Sequence, residues 1–95
     1  MDRKLTDARR IQSAIAQVLY ERWDPLSLNG IAPRDEYDAY VGRVYRSLAS
    51  SRNHEHISAE LWAIEREYMG ATEPDHHRLR IAADALLALD IEIAH

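Results

Sequence analysis

The sequence predicts an all-α fold, a compact antiparallel four-helix bundle in which residues 1–95 form a single helical domain. Three observations lead there. Apolar residues recur at steps of three and four in four successive segments, the spacing that lines one face of a 3.6-residue helix. Turn-forming residues separate the segments: Pro25, Asn29, Gly30 and Pro33, then Ser50, Ser51 and Asn53, then Gly70 and Pro74. The one strict alternation of apolar residues, Leu89, Ile91 and Ile93, lies beyond the last strong helical pattern, so no segment reads as a convincing strand.

The first helix is expected from Asp2 to Trp23, with Leu5, Ala8, Ile11, Ile15, Val18, Leu19 and Trp23 as its apolar stripe. Asp24-Pro25 ends it, because proline disfavours the α conformation in the residue before it. The stretch from Asp24 to Pro33 reads as a loop, long for a helix–helix connection, with Leu26, Leu28 and Ile31 tucked beneath it. The second helix is expected from Arg34 or Asp35. Asp35, Glu36 and Asp38 would then oppose the positive end of its dipole, and Tyr37, Tyr40, Val41, Val44, Tyr45 and Leu48 would form its buried face.

Asn53 is the expected N-cap of a third helix reaching Met69, with a seam of Ile57, Leu61, Ile64 and Tyr68 and with Gly70 as the residue that stops it. The fourth helix is expected from Thr72, capped by the Thr72–Asp75 spacing, with Leu79, Ala82, Ala83, Leu86 and Leu87 facing the core. Gly42 falls inside the second helix, where glycine costs roughly 1 kcal/mol against alanine. A close helix crossing is the expected reason for it.

Trp23-Asp24-Pro25-Leu26, then Asp35-Glu36-Tyr37-Asp38-Ala39-Tyr40, then Glu67-Tyr68-Met69-Gly70 form an ordered set of motifs. In this order the chain resembles a group of small bacterial helical proteins. More loosely, it is similar to the YugE-like family, which shares the Trp-Asp-Pro element after a first helix. The resemblance covers residues 11–70 and implies a four-helix domain and a bacterial source. It implies no reaction.

Composition narrows the function classes. The 95 residues contain no cysteine, which removes disulfides, thiolate metal sites and cysteine nucleophiles. The formal net charge of −4 disfavours a nucleic-acid surface, which requires a basic face. The charged start, Asp2, Arg3 and Lys4, is followed by an amphipathic stretch. With no signal-type or membrane-spanning apolar run, a cytoplasmic protein without membrane contact is expected.

The five histidines have no H-x-x-x-H pair, although His56 and His77 would approach if two helix starts met. No calcium-loop spacing, glycine-flanked serine or phosphate-cradling glycine loop is present. No metal, no cofactor and no catalytic residue is therefore expected.

What remains is surface. Trp23 reads either as an exposed platform or, more plainly, as a core residue beside a stop signal in which Asp24 bonds nearby backbone amides. Asp24, Asp35, Glu36 and Asp38, together with Tyr37, form an acidic and aromatic cluster at one end of the second helix. Of Tyr37 and Tyr40, Tyr40 is expected to be the more buried. The cluster fits a protein-binding module with a basic partner, such as an immunity or antitoxin-like neutraliser of a bacterial toxin. The competing readings are a small metal-dependent or carboxylate-using enzyme and a self-associating scaffold forming a homodimer.

Overall fold

In the computed structural model, residues 8–25 and 36–89 are described, and among them the chain is all helical with no strand. Leu5, Leu26, Leu28, Ile31, Asp35, Ile91 and Ile93, to which the sequence assigns roles, lie outside the described residues. Helix α1 spans Ala8–Val18, α2 Val41–Ser50, α3 His54–Tyr68 and α4 His76–Leu87. Their radius of gyration is 12.8 Å. No described helix is long and apolar enough to cross a membrane.

Helix α1 buries Ile11, Ile15 and Val18 and then widens into a π-helical turn, Leu19–Trp23. The wider turn is closed by the Asp24 N–H, which donates to the Leu19 carbonyl at 2.9 Å. It places Leu19, Tyr20 and Trp23 all inside. Asp24 then adopts the left-handed conformation, with φ 36° and ψ 57°. Aspartate tolerates this region better than most residues, and it lets the chain turn away before Pro25.

The second helix begins later than its sequence suggests. A 3₁₀ turn, Asp38–Tyr40, precedes α2, and the first turn of α2 holds no acid. Glu36 and Asp38 therefore lead into the helix and do not oppose its dipole from the first turn. Val41, Val44 and Leu48 are buried as expected.

Gly42 does not mark a close crossing. Among the described residues, a Cβ there would meet the Arg46 guanidinium at 3.6 Å, an ordinary contact.

Asn53 caps α3 by accepting hydrogen bonds from the backbone N–H groups of Glu55 at 2.9 Å and His56 at 3.2 Å. Gly70, with φ 69°, follows the far end in the left-handed region that favours glycine. Helix α4 starts at His76, not near Thr72. Asp75 is its cap, accepting from the Arg78 N–H at 3.1 Å, so the helix needs no Thr72.

The core joins all four stripes. Ile15, Leu61, Ile64 and Leu86 are fully buried and Val18 nearly so, as the spacing predicts. Contacts across the helices pair the start of α3 with the end of α4 through His54 and Asp84, and the end of α3 with the start of α4 through Glu65 and Arg78. Beyond α4, Arg52 donates to the carbonyls of Leu87 and Leu89 at 2.9 and 3.2 Å, satisfying acceptors that a helix end leaves without intrahelical partners.

Candidate functional site

The Trp-Asp-Pro element organises the molecule from inside. Trp23 is fully buried, so the core reading of this residue holds and the exposed platform does not. Its indole N–H donates to Glu65 Oε2 at 2.9 Å. Glu65 is itself 1% exposed and also accepts from Arg78 Nη2 at 2.7 Å. A carboxylate in that position is tolerated because a cation and a neutral donor both reach it. Its sequence position gives no warning: Glu65 stands next to Ile64 in α3, where a charged residue beside a seam ordinarily faces water.

Asp24 accepts a hydrogen bond from the Tyr37 hydroxyl at 2.7 Å. The carboxylate was expected to bond nearby backbone amides. It receives the hydroxyl of a side chain 13 residues away, which ties the end of the π-helical turn to the approach to α2.

This explains why the two tyrosines exchange places. Tyr37 is 1% exposed and Tyr40 is half-buried, the reverse of the expectation that Tyr40 lies deeper. Asp24 gives the buried Tyr37 hydroxyl a partner, and Trp23 packs its ring at a centroid distance of 5.6 Å. Tyr37 is thus part of the core and presents no surface, whereas Glu36 and Asp38 on either side of it are exposed.

From Trp23 the aromatic contacts run outward. Tyr40 meets Trp23 edge to face, with centroids 6.1 Å apart and an interplanar angle of 86°. Tyr68 lies 5.9 Å from Tyr40. Tyr68 was expected on the α3 seam. It is 65% exposed, because the last turn of α3 carries it past the core, where Tyr40 is its neighbour. The structure therefore brings together Tyr40 and Tyr68, while the exposed acids Glu36 and Asp38 lie close to Tyr40 along the chain, Asp38 lining a groove with Arg9, Gln12, Ser13 and Ala16 of α1. The exposure of Tyr68 is not legible from the three- and four-residue spacing, which places it on the α3 seam. Its only advance signal is the place of Tyr68 near the helix-stopping Gly70, two residues on, where a helix stripe can run off the core.

Between α2 and α3 lies a second polar assembly. Arg43 donates through Nε to Glu60 Oε2 and through Nη1 to Glu67 Oε2 at 2.8 Å. Ser47 donates to Glu60 Oε1 at 2.8 Å. Partial burial works to raise the Glu60 pKa. The hydrogen bonds from Ser47 and Arg43, with the Arg43 charge, more than offset it, so Glu60 is held below the usual glutamate range. The same two carboxylates raise the pKa of Arg43.

The sign of the resulting pH dependence follows. A carboxylate with a lowered folded pKa stabilises the protein fully above its unfolded value, about 4.3 for glutamate. That contribution disappears as pH falls through the lowered folded value. Acid unfolding of Ser47→Ala should therefore begin at higher pH than in the parent, monitored by the helical circular dichroism signal. Superimposable acid transitions would show that the Ser47 bond contributes nothing.

His54 Nε2 stands 3.1 Å from Asp84 Oδ1, and no approach of His56 to His77 is found among the described contacts. Among the described residues, no group of three or more metal-ligating side chains is assembled. No protein-family model, curated protein or solved structure matches the chain.

Proposed function

We propose that this protein is a protein-binding module. Its recognition surface is the aromatic edge of Tyr40 and Tyr68, with the exposed acids Glu36 and Asp38, close to Tyr40 along the chain, steering the approach. The observation that carries the reading is Tyr68, a large aromatic side chain 65% exposed, with its ring against a half-buried second tyrosine. Such a ring offers apolar area and a hydroxyl at little conformational cost, and aromatic anchors of this kind dominate interface energies.

The contact from Trp23 through Tyr40 to Tyr68 supports the anchor from the core, so less freedom remains to be lost on binding. The exposed carboxylates favour a basic partner, because they accelerate encounter and disfavour acidic competitors. Neutralisation of a basic bacterial toxin is the narrower form of this proposal, and it uses the same surface.

The division of labour makes the test specific. Tyr68→Ala should weaken the complex at least tenfold, chiefly through faster dissociation. Glu36→Lys with Asp38→Lys should slow association and remove most of its salt dependence. Glu55→Lys, at the opposite end of α3, should change neither rate much. Surface plasmon resonance against the captured partner measures all three. Equal kinetics for parent and Tyr68→Ala would remove this surface from the interface.

A further inference from the structure

We propose that the groove between α2 and α3 is a binding site for a phosphoryl group, carried by a small phosphate monoester. The site is distinct from the tyrosine edge. The groove holds about 420 Å³ and is lined by Arg43, Arg46, Ser47, Ser50, His56 and Glu60. The α2 residues are spaced by three, one and three, which places them on one face of the helix. His56 and Glu60, four apart, share a face of α3. Two helix faces that meet at a bundle seam usually pair apolar residues. Every residue lining this groove is polar.

Donor and acceptor accounting then selects the ligand. Glu60 is the one carboxylate in the lining, and both its oxygens are occupied, one by Arg43 and one by Ser47. The Ser47 proton is used in that bond. Arg43 has committed Nε and Nη1 to Glu60 and Glu67, which hold its guanidinium in place and leave Nη2 over. Arg46 is exposed and has no ion pair among the described residues. Ser50 is exposed.

The groove is open to solvent, but His56 Nε2 is itself buried and has no hydrogen-bond partner among the described residues, a cost that a bound group reaching it would relieve. The lining thus offers Arg43 Nη2, the Arg46 guanidinium and the Ser50 hydroxyl as donors, and His56 joins them when Nε2 carries the proton. A ligand rich in acceptors and carrying negative charge satisfies these donors, and the guanidinium fork of Arg46 fits two oxygens of a tetrahedral phosphoryl group. The groove is larger than a phosphate ion, so it leaves room for the esterified part of the molecule.

Inorganic phosphate and phenyl phosphate, titrated into the full-length protein, serve as the probes. Calorimetry and backbone amide chemical shifts are the readouts. Saturable one-to-one binding is expected, with Kd on the order of 1 mM for phosphate and lower for the ester. The shifted amides should include Arg46, Ser50 and His56. Arg46→Gln should weaken binding about tenfold or more, as loss of a charge-assisted bond predicts. Arg66→Gln, an exposed arginine elsewhere on α3, should leave it unchanged. A linear, unsaturated titration would overturn the proposal, as would shifts centred outside the groove or equal losses in the two arginine variants. Both variants alter exposed side chains, and their circular dichroism spectra confirm that the comparison is between folded proteins.

Discussion

Glu65→Ala is expected to destabilise the protein by about 3–5 kcal/mol, the range for removing one partner of a buried charged pair. The carboxylate lies 1% exposed between the Trp23 indole and the Arg78 guanidinium. Alanine would leave the indole N–H buried without an acceptor and open a cavity the size of the lost side chain. Arg78 keeps a partial escape, because its side chain is 28% exposed and reaches Asp75 at 3.6 Å. Much of the cost therefore falls on Trp23.

Two further variants divide the effect. Glu65→Gln retains an acceptor for the indole and loses only the charge, so it should cost less. Trp23→Phe removes the donor while keeping most of the ring. In the Trp23→Phe background the penalty for Glu65→Ala should shrink, which a double-mutant cycle in urea measures directly. A domain of this size is typically stable by about 5–15 kcal/mol, so Glu65→Ala itself should show a much lower denaturation midpoint. A change within about 0.5 kcal/mol would show that the network contributes little to stability.

Leu61→Ala is expected to cost about 2–5 kcal/mol. Leu61 is fully buried and belongs to the cluster that joins Ile15 and Val18 of α1, Val44 of α2 and Leu86 of α4. Removing its branched end takes dispersion contacts from several helices at once, and a close-packed core refills such a space only in part. Ala59→Gly on the exposed side of the same helix separates packing from helix propensity. That change should cost roughly 1 kcal/mol through propensity alone. A Leu61→Ala effect no larger than this would contradict the central placement of Leu61. Chemical denaturation with an unchanged m-value is the measurement that identifies the loss as one of packing.

The readings that succeeded are those whose causes are local in the chain. Ile11 and Ile15, Val41, Val44 and Leu48, and Ile57, Leu61 and Ile64 are buried because three- and four-residue spacing forms a stripe wherever the helix is placed. Asn53 caps α3 because its side chain reaches amides only two and three residues ahead. The candidate surface was legible only in its acids. Glu36 and Asp38 are exposed, while Tyr37 has moved to the interior and Tyr68 has joined from another helix.

The sequence by itself therefore determined the helical class, the buried stripes, the α3 cap and the acidic approach to α2. Tertiary structure decided which tyrosine faces water, because that depends on what stands across from each ring. Asp24 satisfies the Tyr37 hydroxyl from 13 residues away, while Tyr68, its ring tilted against Tyr40, stays 65% exposed. It likewise decided that Glu65 is internal and that the donors of α2 face His56 and Glu60. A stripe is set by the chain's own geometry, whereas a polar group can be buried only after distant residues arrive to satisfy it.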